Sequence, residues 1–561
     1  MKSLLCFFSS VLMLILLVDG CGKQTESTVG SAIKTVPIGT AESQTAKPDS
    51  SPSYGDTLVM HLACSPQTLN PILCADGDSL TVISLLFNGL VKYDDNLKLT
   101  GDLAETWEVS TDELSVTFHL RKGVKWQDGE PFDADDVKFN YEKLMDPAVQ
   151  TISRDAFSFV STLEIPDKFT VKVINREKNS SLVSAWGQGL VPRHLYEKDD
   201  FNNSNYNRFP VGTGPFKLTD WKPDEQIILQ ANDDYFLGRP FLNRIKFKLL
   251  STAIPAFSML LKGEIDLMTI TLDQYETHYK EKEFNDKFSI YLNPSPFRFV
   301  CISYNLLRPY FSDKKVRKAV TMCIDREKII REVRHGHGVT VSGPFAPGFW
   351  ANDDSIRPLP FSTVEAAVLL KEAGWTDSDG DGILEKDGVK FQFTIQTINP
   401  NTAMKYLMEI VQNGLAQAGI KMTPEYPDYA TLMTRLQNQE LDALLLGWQW
   451  PADPDPYMNW HSSQIPDPKK GKAGSNYFCF KDDEADRIMD QLRKTLDFET
   501  RKNLLHRFHA ILHEEQPCTF LYPYENVEAI SKRFQGIVQS PWGLLSNSER
   551  FYVPMGLQKY Q

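Results

Sequence analysis

From Thr57 to Leu512 the chain switches repeatedly between two periods: apolar residues at every second position, and apolar residues at helical spacing. Thr57–Leu62, Val116–Leu120, Gln226–Gln230, Ile245–Leu250, Phe391–Gln396 and Ala443–Leu446 read as strands. Between them, Leu80–Leu90, Asp133–Leu144, Val364–Ala373, Ala403–Ala418, Tyr429–Gln437 and Phe498–Leu512 read as helices, and Asp313–Arg334 as one long helix. Asp133 is a natural N-cap, with acids in the first turn and Val137, Tyr141 and Leu144 on one face. Short strands alternating with helices pack as sheets covered by helices, so the pattern predicts α/β lobes. At about 100–200 residues per domain, the 561 residues suggest three or four units, and no fixed-period repeat is visible.

The two ends of the composition narrow the function. Lys2 precedes an apolar run, Leu4–Val18, of about 15 residues, the length of a secretory signal and short for a membrane span. The run ends at Val18-Asp19-Gly20-Cys21, which resembles a bacterial lipobox, with Asp19 departing from the usual small residue. The expectation is a signal peptide over 1–20, lipid on Cys21, and a Ser/Thr/Pro-rich tether over 21–55. A net charge of −13 excludes a general nucleic-acid binder, and the basic run Lys469-Lys470-Gly471-Lys472 reads as a solvated loop. Cys64, Cys74, Cys301, Cys323, Cys479 and Cys518 form an even set, which in an exported chain suggests disulfides; six allow 15 pairings and the sequence selects none.

Leu441–Trp448 reads as a buried strand leaving the core, and it emits Gln449-Trp450-Pro451-Ala452-Asp453-Pro454-Asp455-Pro456-Tyr457. Three prolines and two large aromatics make this a stiff loop at a strand end, where α/β folds place ligands. Two carboxylates there could receive a cation.

A longer set of motifs carries a resemblance. Leu103-Ala104-Glu105-Thr106-Trp107, Phe118-His119-Leu120-Arg121-Lys122-Gly123-Val124-Lys125-Trp126 and Asp128-Gly129-Glu130-Pro131 come first. Val211-Gly212-Thr213-Gly214-Pro215-Phe216, Asn232-Asp233-Asp234-Tyr235, Gly263-Glu264-Ile265-Asp266 and Asp313-Lys314-Lys315-Val316-Arg317-Lys318-Ala319 follow in order, then Ile324-Asp325-Arg326, Ala373-Gly374-Trp375 and Asp453-Pro454. Over about residues 56–540 the chain resembles the extracellular solute-binding proteins of peptide importers, the oligopeptide- and dipeptide-binding family.

The resemblance implies an α/β, two-lobed periplasmic-binding-protein fold, hinged and of three domains, with the ligand in the interlobe cleft. Residues 56–99, 209–295 and 528–561 would form one discontinuous domain, 100–208 an inserted second domain of that lobe, and 296–527 the other lobe. Most quoted motifs would be scaffold. In peptide-binding relatives an Asp three residues beyond a Trp pairs with the ligand ammonium. Trp450 and Asp453 fit that spacing, Trp448 does not, and Asp455 is the alternate. Gly447 and Trp448 would line the cleft, and Ser65 would face it from the loop Ala63–Gln67. The Arg that anchors a carboxylate in dipeptide-binding relatives follows an Asn-Pro-Asn stretch. Here Asn399-Pro400-Asn401 is followed by no Arg, and Lys405 is the nearest cation.

Other patterns carry less. Asp377, Asp379, Asp381 and Gly382 match the start of an EF-hand loop, but its twelfth position is Gly388. His506, His509 and His513 share a helix face, His335-Gly336-His337 lies in a glycine turn, and Ser312-Asp313-Lys314-Lys315 reads as a helix cap. The sequence therefore predicts a monomeric, non-enzymatic, cofactor-free receptor in the periplasm (or on the surface of a single-membrane cell). It would be lipid-anchored and pass peptides to the permease subunits of an ATP-driven importer. The alternatives are the same scaffold holding a cell-wall peptide, metal chelate, haem or sugar, or serving as a surface sensor or adhesin.

Overall fold

The computed structural model describes residues 51–398, 400–472 and 474–560. The signal segment, Cys21 and the tether up to residue 50 lie outside them, as does Asn399. No helix among the described residues is long and apolar enough to cross a membrane.

The chain opens with β1 (Thr57–Leu62) and a hairpin of β2 (Val91–Tyr93) and β3 (Leu99–Gly101). Next come β4 (Ala104–Val109), β5 (Ser115–Leu120), β6 (Val160–Asp167) and β7 (Thr170–Asn175), which form a separate four-stranded sheet in the order β4-β5-β7-β6. Then follow β8 (Phe216–Lys222), β9 (Gln226–Ala231), β10 (Arg244–Leu249), β11 (Leu267–Ile270) and the long β12 (Phe288–Tyr304). A small hairpin, β13 (Glu385–Lys386) and β14 (Val389–Lys390), precedes β15 (Gln392–Gln396), β16 (Lys421–Glu425), β17 (Ala443–Gln449) and β18 (Cys518–Ser531). Ten of these strands join one continuous sheet, ordered β16-β15-β17-β12-β18-β11-β1-β10-β9-β8.

Its centre explains the two lobes. β12 and β18 run antiparallel along most of their length. The first half of β12 pairs with the last residues of β18, which also pair with β11. The second half pairs with β17 and with the first half of β18. A two-stranded ribbon therefore crosses from one lobe to the other, and its register shifts between Pro294 and Phe299. The apolar cores divide at that crossing. Leu58, Phe118, Phe247 and Val553 belong to one cluster, while Val300, Leu407 and Phe299, Phe508 belong to two others on opposite faces of the second lobe's sheet.

β1, β10 and β11 are parallel in the first lobe, and β15, β16 and β17 in the second. In register with β12, β17 ends at Gln449 opposite Arg298; in register with β18, β11 ends at Ile270 opposite Val527. Both sets of parallel strands thus aim their carboxyl ends at the crossing, where open α/β sheets bind ligands.

The motif residues build this frame. Asp133 caps the helix Ala134–Met145 in a full capping box with Asp136. Gly212 and Gly214 press on the main chain of Leu85 and Leu86: an added Cβ would meet the Leu86 carbonyl at 1.8 Å and the Leu85 carbonyl at 2.5 Å. Between them, buried Thr213 donates to Asn88 (3.1 Å). Arg317 donates to the carbonyls of Glu515 and Phe311, both at 2.8 Å.

Two expectations are corrected. Asp313–Arg334 is not one helix. The helix Lys314–Met322 stops at Cys323, and Asp325 accepts from Lys328 N to start a new turn, because an Asp side chain competes for backbone N–H groups and favours a cap over a helix interior. The six cysteines are free thiols rather than disulfides, five of them buried. Cys301 and Cys518 both contact the Ser303 hydroxyl, at 3.3 and 3.2 Å, and burial pushes the Cys74 and Cys479 thiols up to about 11 and that of Cys323 up to about 12.

Candidate functional site

β17 is buried along almost its whole length, and Gly447 pairs with Val300. Trp448 packs edge-on against Phe478, and its indole N–H, buried, has no hydrogen-bond partner. Trp450 is a wedge: it stacks on Phe299 (6.1 Å), leans on Phe345 and donates to the Pro344 carbonyl at 3.0 Å. Its role in this geometry is to hold the loop down.

Asp453 follows, and its carboxylate meets Arg501 at 2.5 Å. Arg501 is almost fully buried and also donates to the carbonyls of Leu492 (2.6 Å) and Thr495 (3.1 Å). Burial raises the Asp453 carboxyl above its ordinary range, with Arg501 pulling the other way. Its side chain still keeps 28 % of its exposure. Asp455 is held by Arg493 Nη2 at 2.7 Å, and that guanidinium lies 3.9 Å over the Tyr457 ring. Each carboxylate foreseen as a cation acceptor therefore already has an arginine. Sequence reading missed both arginines, because nothing along the chain links residue 453 to residue 501.

The other lobe closes over this loop. The Tyr93 hydroxyl is pushed up to about 12 by burial and by the charge of Asp453. Trp542 stacks on Phe297 (5.0 Å), sits 6.0 Å from Tyr93 and remains 43 % exposed. Ser180 donates its backbone N–H to the Arg493 carbonyl at 2.7 Å. On the ribbon, Arg298 donates Nε to Gln449 at 2.9 Å. Ser65, half-buried, lies just past the end of β1, in a segment tied by Cys64 N to Asp78 (2.7 Å) and by Gln67 N to Ser79 (3.2 Å).

A cavity opens at the crossing. Its walls are the end of β11 with Thr271–Asp273, Arg334, the start of the helix Thr402–Gln417, and Tyr522–Val527 of β18. Lys405 is exposed and is not among the residues of that wall, although Met404 and Leu407 are.

Beside the cavity the lobes are clasped twice. His335 meets Asp273 at 2.6 Å and His337 meets Glu276 at 2.8 Å. Asp273 and Glu276 ride on the helix Leu272–His278, and the two histidines on a glycine turn with φ of +52° at His335 and +84° at Gly336. This glycine turn binds the opposite lobe. In the EF-hand-like loop, Lys390 reaches both Asp379 and Asp381, while Asp377 accepts from Gly380 and Gly382.

The family model for bacterial extracellular solute-binding proteins, family 5 middle, matches residues 98–467. The chain is 31 % identical to the oligopeptide-binding protein AppA of Bacillus subtilis, over 91 % of this chain and 94 % of that protein. It is 27 % identical to heme-binding protein A of Haemophilus influenzae, over 90 % and 93 %. Among solved structures, B. subtilis AppA in complex with a nonapeptide superposes with a TM-score of 0.75 at 30 % identity, covering 90 % of this chain and all of that one (100 %). NikZ from Campylobacter jejuni in complex with Ni(L-His) gives 0.76 at 27 % identity, covering 89 % and 99 %.

Proposed function

Because this chain belongs to the bacterial extracellular solute-binding proteins of family 5, we propose that it captures peptides between its two lobes and delivers them to an ATP-driven importer. One observation carries the reading: the parallel strands of both lobes end at the crossing ribbon, in a chain that matches a peptide-bound relative along nearly its whole length. A bound peptide lies extended and hydrogen-bonds through its main chain, the mode that tolerates varied side chains. The unpartnered Trp448 indole N–H beside Gly447 supports a contact there, and Ser65 sits at the end of the opposing β1. Asp453 remains the candidate for the ligand ammonium, sharing its charge with Arg501.

The family binds solutes, which supports a receptor with no turnover. The proposal extends to a monomer outside the cytoplasm, exported by residues 1–20 and held to a membrane through lipid on Cys21. It also assigns 56–99, 209–295 and 528–561 to one lobe, with 100–208 inserted, and 296–527 to the other. The separation of the apolar clusters supports that division.

The test is native mass spectrometry of soluble protein starting at Ser51. Co-purified masses of short peptides are the expected result. A haem, a metal chelate or an empty cleft that no peptide pool fills would overturn the reading. Peptides retained in Asp453→Ala would keep the function and remove Asp453 from the site.

A further inference from the structure

Three histidines on the helix Phe498–Glu515 grip one segment of chain, residues 342–353. His506 donates Nε2–H to the Trp350 carbonyl at 3.1 Å, and His513 donates Nδ1–H to the Ser342 carbonyl at 3.3 Å. His509 is fully buried and is held through both ring nitrogens. Its Nδ1 accepts the Asp353 backbone N–H at 3.2 Å, and its Nε2 lies 3.0 Å from the Ser342 hydroxyl. A nitrogen that accepts carries no proton, so the ring is neutral, with its proton on Nε2. The segment is pressed onto it: a Cβ added at Gly343 would meet the His509 ring at 2.2 Å.

The same segment supports the loop that carries Asp453. The Pro344 carbonyl takes the Trp450 indole N–H. Phe345 packs on the Trp450 ring at 5.7 Å and edge-on against His509 at 6.3 Å. Phe349 meets Phe297 edge-on at 5.8 Å. Trp450 is thus fixed from the segment, and Asp453 follows it by three residues.

A second proton on His509 would go to Nδ1 and face the Asp353 N–H, donor against donor. His506 and His513 differ, because each donates to a carbonyl through an N–H that it keeps when charged. The ionisable groups around His509 are His506 and His513 on its own helix and Asp353 on the segment, with Lys318, Arg326 and Glu514 standing round His513. Burial first, then His513 and His506, hold the His509 imidazole down to about 4, against the pull of Asp353 and Ser342. Once released, the ring returns to about 6.5, so the released state binds more protons as pH falls below that value. The grip on the segment is complete above about 6.5 and is lost progressively as pH falls toward 4.

We infer that neutral His509 is a positioning residue for the binding loop, and that its protonation frees the segment 342–353 and unloads a bound peptide in acid. The inference rests on the peptide-receptor reading. His509 acts through Pro344, Phe345 and Trp450.

The test has two arms, both on the protein starting at Ser51. The first is hydrogen exchange of the segment 342–353 at pH 7 and 4.5, corrected for the intrinsic rate. Protection in the wild type should fall roughly 50-fold between the two, the ratio set by imidazole values of about 6.5 and 4. His509→Gln, which keeps a donor for Ser342 but does not titrate, should remove that fall. Ser342→Ala, which keeps the imidazole and removes its partner, should lower protection already at pH 7 and retain the acid response. The second arm titrates tri- to hexa-alanine by calorimetry at the same two pH values. Affinity should drop at least about fivefold further in the wild type than in His509→Gln, because the competent fraction falls only where the ring titrates. Asp453, His335 and the peptide carboxylate are common to both proteins, so their titration cancels in that comparison. Wild-type protection that is the same at both pH values would overturn the inference. Equal affinity drops in the two proteins would overturn the link from His509 to the loop. No binding at pH 7 would overturn the peptide reading and the unloading built on it, while exchange still judges the histidine grip.

Discussion

Arg533, close to the end of the chain, is gripped by two carboxylates, one from near its start and one from its middle. Asp266 takes its Nε and Nη2 at 3.0 and 2.8 Å, Asp56 takes Nη1, and all three side chains are almost wholly buried. Removing the cation would leave two charges with nowhere to go. Arg533→Met is therefore expected to destabilise the protein by about 3–5 kcal/mol, read as a drop in the urea midpoint. Asp453→Ala strands Arg501 in the same way, and a loss of about 3 kcal/mol is expected even in the absence of any ligand. An unchanged urea midpoint in Asp453→Ala would show that the pair contributes nothing to the fold. This is also where reading from sequence reached its limit. The loop Gln449–Tyr457 was legible as stiff, aromatic and acidic, but the arginines that neutralise it lie 38 and 48 residues away. A pairing of that kind is set by tertiary contact, not by local pattern.

At the scale of elements, regular patterns were legible and interrupted ones were not. Thr57–Leu62 and Tyr429–Gln437 are found where their apolar periods put them. β12 went unread because Pro294 and Pro296 look like a loop, and the irregular pairing at the crossing tolerates them where a regular ladder would not. The predicted boundaries at 295/296 and 527/528 both fall inside the two ribbon strands. The glycine turn at His335 was legible as a turn, but its partner helix Leu272–His278 was not. That pairing gives a pH dependence. Donation of a hydrogen bond to Asp273 raises the His335 imidazole above its ordinary value, Glu276 adds to this, and burial and Arg334 oppose it. A raised folded-state pKa means stabilisation that is complete below the unfolded value of about 6.5 and fades as pH rises through the shifted one. Acidification from pH 8 to 6 is thus expected to shift the unliganded protein toward the closed form, seen as a smaller radius of gyration in X-ray scattering. His335→Gln should flatten that response.

For the whole molecule, the β12–β18 ribbon joins the two packed bodies, and a rotation about it is the expected mode of closure, since it needs no sliding of either core. Trp542 reports on it. The ring is wedged at the seam against Phe297 of the other lobe, beside Tyr93 of its own, while still 43 % exposed, so opening strips it of Phe297. Ligand binding is expected to blue-shift tryptophan emission, and Trp542→Phe to remove most of that shift. A shift that persists in the variant would assign it to another of the 10 tryptophans.

Asp56 also sits just before the first strand of the folded body. Its carboxylate accepts the backbone N–H groups of Lys559 and Tyr560, at 3.0 and 3.1 Å, in addition to Arg533. A pull arriving through Gly55 therefore meets a knot that joins the first strand, the last residues and the end of the crossing ribbon. Beyond the knot, β1 runs between β10 and β11, parallel to both. Tension along it loads those hydrogen bonds in shear, all at once, instead of unzipping them one by one. The strand's geometry therefore suits a load applied along β1 from this end.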